Sequence, residues 1–395
     1  MEKKSIIIVY YEMILGGSTT SLLSLLNCID KERYDVDLQL YKNSGELFDM
    51  IPDGINVLPE AALPINRINK TIKGLAKGYL FKAWMINRIN KRRGFSRQLL
   101  SLFQSRELSR NNNKEYDYAI SFIEGWPNFY LAESIKAKHK YGWYHSTFNE
   151  NNWYPRYEKI WWNVADNIVF VSDSCTRDFC RLFPAFSSKA KTIENILDSL
   201  IVRHRSEKID LHDQCYVRYH DFKGMRLVSV CRIDIQTKGL DRVVNCARAL
   251  KEKGYDFLWY VVGDGADREA LQALINEAKV DESLILIGKR SNPYPFIKDS
   301  DILGMPSRFE GKPMTVTEAM ILGTVPVVTE YLSAHEQIKD GYDGVVCMND
   351  ESSFINSIIS MIENTQKLQD MKKIIKQNEY GNEKYIRFIE KELLD

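Results

Sequence analysis

The chain predicts an α/β protein built from two Rossmann-like domains whose parallel sheets face a cleft. Three observations carry this. Short apolar runs alternate with helix-length amphipathic stretches in both halves of the chain, and a polar span without periodicity separates the halves. The 395 residues suffice for two domains at roughly 100 to 200 residues each. A composition of 44% hydrophobic and 27% charged residues is that of packed cores and excludes disorder.

The first half opens with Ser5 to Tyr10, an apolar run short enough for a buried strand. Gly16, Gly17, Ser18 and Thr19 follow as a turn and cap, and Leu22 to Ile29 reads as a helix. Further strand candidates are Val36 to Leu40, Tyr118 to Ile123, Lys140 to Tyr144 and Ile168 to Val171. The last leads into Ser172-Asp173-Ser174, residues suited to capping a helix that runs to Leu182. This places a first domain over residues 1–207 and a linker over 208–223.

The second half begins a new series. Arg226 to Cys231, Phe257 to Val262, Leu284 to Ile287, Ile302 to Met305, Val325 to Thr329 and Gly344 to Met348 read as strands, with helices such as Leu240 to Lys251 and Arg268 to Ala278 between them. Strands alternating with helices of this length form parallel sheets, which gives a second domain over 224–378. Residues 379–395 read as a terminal helix free to pack back on the first domain.

Seven cysteines lie scattered without a C-x-x-C pair, so neither a disulfide framework nor a zinc site is indicated, and reduced thiols in a cytoplasmic protein are expected. Lys3 and Lys4 before an apolar run imitate a leader, but Glu12 interrupts the run and no small-residue cleavage site follows. Neither G-x-x-x-x-G-K-[ST] nor G-x-G-x-x-G occurs, which argues against a P-loop enzyme and a dinucleotide oxidoreductase. Two Asp-x-Asp matches, Asp35/Asp37 and Asp299/Asp301, fall on or just before strands and are read as structural, so no metal site is expected.

The most informative block runs from Pro306 to Val328. A strand ending at Met305 leads into a loop carrying Glu310, and a helix starting near Met314 presents Glu318. The backbone N–H groups of Met314, Thr315 and Val316 stand at that helix start, a ready place for phosphate. The spacing of Glu310 and Glu318, followed by Ala319-Met320 and by Gly323 ahead of Pro326-Val327-Val328, resembles the donor-site motif of glycosyltransferase family 4, the group 1 glycosyltransferases of bacterial polysaccharide synthesis. Other blocks agree in order: Ser229 to Gly239, Val262 to Gly265, Ser300 to Ser307 and Asp340 to Gly344. In the first half Gly16-Gly17, Trp143-Tyr144-His145, Val171-Ser172 and Ile193 to Asp198 follow the same order.

The resemblance implies a GT-B fold and a retaining transfer from a nucleotide diphosphate sugar, with uridine the expected base and no metal or other cofactor. It assigns Arg232 and Lys238 to the donor diphosphate, Glu318 to the ribose hydroxyls, and Glu310 with His145 to the sugar near the reacting carbon. Gly16 and Gly17 would let backbone approach the diphosphate, and Arg290 falls in the nucleobase loop. Gly311, Lys312 and Pro313 depart from the family's usual residues after the first glutamate. Another GT-B enzyme, such as a sugar-nucleotide epimerase or a phosphorylase, is the alternative, as is a non-catalytic nucleotide-sugar-binding partner; acceptor-free conversion of the donor, dependence on inorganic phosphate, or inactivity would distinguish them.

The net charge of +1 hides an asymmetry. Residues 67–110 carry twelve lysines and arginines against one acid, Glu107, interleaved with Tyr79, Phe81, Trp84 and Ile86. Such a segment suits an anionic membrane surface, and implies an enzyme held peripherally at the inner face of the cell membrane beside a glycan or lipid-linked acceptor. Nucleic acid is not expected as a partner, because one basic stretch without a recognition motif is insufficient.

Overall fold

The computed structural model describes residues 3–61, 95–108, 114–148, 153–382 and 385–394. The chain divides into two compact units, Met1–Asn195 with Tyr385–Asp395, and Ile196–Lys384.

Unit 1 contains β1 (Lys4–Tyr10), α1 (Gly17–Cys28), β2 (Tyr34–Leu40), β3 (Ile55–Val57), α2 (Phe95–Leu108), β4 (Glu115–Ser121), α3 (Trp126–Ser134), β5 (Lys136–Tyr144), α4 (Pro155–Val164), β6 (Asn167–Phe170), α5 (Asp173–Leu182) and β7 (Ala190–Thr192). All seven strands are parallel, in the order β3-β2-β1-β4-β5-β6-β7. β1 lies inside, with Ile6, Ile7, Ile8 and Val9 fully buried. A strand covered on both faces by helices cannot alternate polar and apolar residues, which is why the sequence shows a continuous run. The Ser172 side chain caps α5 by accepting from the Cys175 N–H at 3.2 Å.

Unit 2 contains α6 (Ser199–Ser206), α7 (Gln214–Asp221), β8 (Met225–Val230), α8 (Ile235–Lys238), α9 (Leu240–Glu252), β9 (Phe257–Val262), α10 (Arg268–Glu277), β10 (Leu284–Gly288), α11 (Tyr294–Lys298), β11 (Ile302–Met305), α12 (Met314–Leu322), β12 (Val325–Thr329), α13 (Ala334–Gln337), β13 (Val345–Cys347), α14 (Glu351–Glu363) and α15 (Thr365–Gln377). Its sheet is parallel throughout, in the order β10-β9-β8-β11-β12-β13. Chain direction across the sheet reverses between β8 and β11. In a doubly wound sheet this is where the loops diverge and ligands enter. In unit 1 the same reversal lies between β1 and β4.

Two expectations shift. Residues 208–223, expected as a linker, hold α7, which Asp213 caps by accepting from the Cys215 N–H at 3.0 Å. Tyr216 and Tyr219 bury its inner face, and the Tyr219 hydroxyl donates to the Leu227 carbonyl at 2.7 Å. The division therefore falls at Asn195/Ile196. Only two tyrosines three residues apart carry the apolar stripe of α7, too few to stand out among charged neighbours. At the other end the helix begins at Tyr385 rather than near residue 379, as α16 (Tyr385–Ile389) followed by a π-helical turn to Leu394. It belongs to unit 1, where the Lys4 Nζ donates to the Leu394 carbonyl at 2.9 Å. Of the basic segment only 95–108 is described, as α2; residues 67–94, which carry most of its charge, lie outside the described residues.

Candidate functional site

In unit 2 the loops after β8 and β11 meet beside the reversal point. Asp234 caps α8 by accepting from the Thr237 N–H at 3.0 Å, which directs the short helix so that Lys238 ends it. Gly239 then turns with φ +64°, and a Cβ there would sit 2.1 Å from the Pro306 carbonyl oxygen. Only glycine permits both the left-handed backbone and this approach. Gly263 and Gly265 serve the same end from the β9 loop: added Cβ atoms would lie 1.9 Å from the Cys231 oxygen and 2.1 Å from the Ile233 oxygen.

The consequence is a buried ion pair. Lys238 Nζ lies 2.6 Å from Glu310 Oε1, with side-chain exposures of 19% and 10%. Burial works against the Lys238 charge, but attraction to Glu310 outweighs it and holds the ammonium above its ordinary pKa. Ser307 Oγ donates to the same Glu310 oxygen at 2.8 Å. The loop itself is fixed: Arg308 pairs with Asp241 at 2.6 Å, Thr329 Oγ1 donates to the Ser307 carbonyl at 2.6 Å, and Gln337 Nε2 donates to the Pro313 carbonyl at 3.0 Å. Arg232 stands at the rim, 69% exposed and 3.4 Å from Asp234. Two cations, Arg232 and Lys238, and two carboxylates, Asp234 and Glu310, thus stand at the strand ends, and the exposed Arg232 guanidinium is the cation open to an anion there.

Glu318 lies in the body of α12, 6% exposed. Its Oε1 accepts from the Tyr294 hydroxyl at 3.0 Å. Burial raises its pKa from 4.5 to about 7, against the opposing effects of Tyr294 and the Arg205 charge. The Arg205 guanidinium lies 4.9 Å over the Tyr294 ring. Met314 and Thr315 begin α12 ahead of its first helical acceptor. The Val316 N–H, expected to be open, instead donates to the Pro313 carbonyl at 3.3 Å, so the helix starts with a tighter turn.

Arg290 is committed within the fold. Its Nε donates to Asp213 Oδ2 at 2.7 Å and its Nη1 to the Ile287 carbonyl at 2.5 Å, which pins the loop after β10 to the start of α7.

In unit 1, Gly16 precedes α1, and a Cβ added there would meet no atom within 4 Å. The fold therefore places no steric demand for glycine at this position. Gly17 is the first residue of α1. His145 follows β5; its Nε2 lies 2.8 Å from the Phe122 carbonyl oxygen. A carbonyl only accepts, so Nε2 carries the hydrogen and Nδ1 is left as an acceptor. Burial lowers the His145 pKa despite the nearby Glu124 charge, keeping the ring neutral. Glu124 accepts from the His145 N–H at 2.9 Å and from Ser146 Oγ at 2.7 Å.

Of Glu310, Glu318, Arg232 and Lys238, the residues the sequence singles out in this unit, the structure brings Lys238 and Glu310 into contact and sets Glu318 apart on α12. Sequence reasoning did not find the roles of Ser307, Tyr294, Arg205 or Glu124. Tyr294 follows the loop after β10 and Ser307 lies inside the quoted block, but Arg205 and Glu124 carry no pattern that would mark them. Within the Asp-x-Asp pairs, Asp37 accepts from Lys114, Tyr116 and Asn56, Asp299 from Tyr216, and Asp301 from Lys372.

Residues 223–378 match the family model described as glycosyl transferases group 1. The N-acetylgalactosamine-N,N'-diacetylbacillosaminyl-diphospho-undecaprenol 4-alpha-N-acetylgalactosaminyltransferase of Campylobacter jejuni is 24% identical over 202 residues, 50% of this chain and 51% of the relative. The lipopolysaccharide 1,6-galactosyltransferase of Salmonella typhimurium is 29% identical over 135 residues, 32% of this chain and 38% of the relative. The chain thus spans about half or less of the length of these curated relatives. Among solved structures, Anabaena HepE in complex with UDP and glucose superposes with a TM-score of 0.71 at 15% identity, covering 99% of each chain. A point mutant of S. aureus TarM in complex with fondaparinux, alpha-GlcNAc-glycerol and UDP gives 0.70 at 14% identity, covering 99% of this chain and 100% of the other. At such identities the structures establish the fold, which is GT-B with two parallel sheets. The family match over the second unit, with the relatives and the fold, supports a group 1 glycosyltransferase.

Proposed function

We propose that this chain is a retaining, family 4 glycosyltransferase that moves a hexosyl group from a UDP-linked sugar to a glycan or lipid-linked acceptor in surface polysaccharide synthesis. The observation that carries the reading is the Lys238–Glu310 pair at 2.6 Å, with Arg232 at the rim, in the span that matches the family. Uridine is favoured by the HepE and TarM complexes, both with UDP. A lipid-linked acceptor is favoured by the undecaprenol-linked substrate in the name of the Campylobacter relative.

In this reading the acceptor hydroxyl attacks the anomeric carbon on the face from which the diphosphate departs. The bond from that carbon to the phosphate oxygen breaks with its electron pair on the oxygen, which takes the acceptor proton. Arg232, Lys238 and the start of α12 stabilise the charge on the leaving group, so the reading assigns no metal ion to it. Glu318 holds the ribose hydroxyls, and Glu310 orients the sugar. No helix among the described residues is long and apolar enough to cross a membrane. Attachment to the inner membrane face is assigned to the basic segment 67–110, and vesicle co-sedimentation with and without anionic lipid at low salt tests that part alone.

The experiment incubates the protein with a panel of nucleotide diphosphate sugars in the presence of EDTA and follows nucleoside diphosphate release and thermal stability. Selective stabilisation and slow hydrolysis of one UDP-sugar is the expected result; at about 100 times its Kd a ligand adds about 2.7 kcal/mol. No shift and no release with any donor would refute the reading.

A further inference from the structure

We propose that Ser307 is a positioning residue for transfer, acting through Glu310. The proposal rests on the glycosyltransferase reading above. Ser307 is fully buried, and the side-chain partner of its hydroxyl among the described residues is Glu310 Oε1, at 2.8 Å. Lys238 Nζ donates to that same oxygen at 2.6 Å. Among the described residues no donor reaches Oε2. Two donors on one oxygen fix both the position and the plane of the carboxylate, and direct Oε2 as its open acceptor.

The serine is itself held at both sides. Thr329 Oγ1 donates to its carbonyl at 2.6 Å, and the next residue, Arg308, donates its N–H to the Thr237 carbonyl at 2.9 Å and pairs with Asp241. The hydroxyl therefore cannot drift to another acceptor without breaking the loop. An alanine would fill the same buried space and remove only the hydrogen aimed at Glu310.

The test measures kcat and KM for the donor, and the Kd for UDP, in Ser307→Ala, Glu310→Gln and the double variant. Ser307→Ala is expected to lower kcat by about 10- to 100-fold, the usual effect of removing a hydrogen bond to a charged group, with the Kd for UDP unchanged. In the Glu310→Gln background the same change should have little further effect. Additive losses, or a fall in UDP affinity matching the fall in kcat, would overturn the positioning role while leaving the transferase reading intact. A wild-type protein that neither binds UDP nor turns over any donor would overturn both. If Ser307→Ala does not fold, Ser307→Cys keeps the shape with a weaker donor, and an intermediate kcat supports the role while a wild-type kcat removes it.

Discussion

Replacing Glu318 by glutamine should make the free protein more stable, and by an amount that depends on pH. Burial in α12 raises the Glu318 pKa from 4.5 to about 7. In the unfolded chain the carboxyl ionises near its ordinary value. Between these two values the native state holds a proton that the unfolded chain has released, so stability falls as pH rises through this window. Above it the full cost of an ionised buried carboxylate is present, about 3 kcal/mol at about 1.4 kcal/mol for each tenfold in proton affinity. Glutamine carries no charge, and its amide oxygen can still accept from the Tyr294 hydroxyl. Urea denaturation of both proteins should therefore give nearly equal stabilities below pH 4.5 and a gain for Glu318→Gln approaching about 3 kcal/mol by pH 8. A constant difference across pH, or no gain at pH 8, would refute the argument. The same substitution should weaken UDP binding by about 10- to 100-fold at pH 8, since a charged acceptor for the ribose is lost. Below pH 7 the wild-type advantage should shrink as Glu318 takes up its proton, and comparing the two proteins at each pH removes the titration of the phosphate itself.

Lys238→Ala should abolish transfer and destabilise unit 2 by about 3 kcal/mol, because Glu310 is left charged and buried without its cation; adding Glu310→Gln should restore much of the stability in the same denaturation assay but none of the activity. Gly239→Ala forces a side chain onto a left-handed turn against the Pro306 carbonyl, and should cost about 1–3 kcal/mol by thermal unfolding together with most of the activity, as Lys238 is displaced. Arg290→Ala should lower stability by about 1–3 kcal/mol through loss of its hold on Asp213. Its UDP affinity by calorimetry should stay within a few-fold of wild type, and a loss as large as that of Lys238→Ala would show direct ligand contact.

The fold class was legible because parallel sheets leave a strong trace. Strands covered on both faces, such as Ile6 to Val9 and Phe257 to Val262, must be apolar throughout, and the helices between them must be amphipathic. β3 and β7 escaped notice because neither offers an apolar run: each is three residues with a polar one, Asn56 or Lys191, at its centre. α7 was read as linker because two tyrosines in eight residues do not form a recognisable stripe. The candidate site was legible where its chemistry lies within one loop and helix, as with Glu310 and Glu318, or at a short spacing, as with Arg232 and Lys238.

What the chain order of residues determined is therefore the class of architecture, the division into two sheets, and the identity of the charged groups at the strand ends. Contacts across the sheet were decided only in three dimensions. Lys238 and Glu310 are 72 positions apart and meet because Gly239 lets one loop press against Pro306. Ser307 gains its role from which oxygen of Glu310 it reaches. Arg290 is held by Asp213, 77 positions away. Periodicity and motifs record which residues face a neighbour, since burial acts on each position separately. Which two side chains share a hydrogen bond depends on loop paths, and these are settled only once both strands stand in the same sheet.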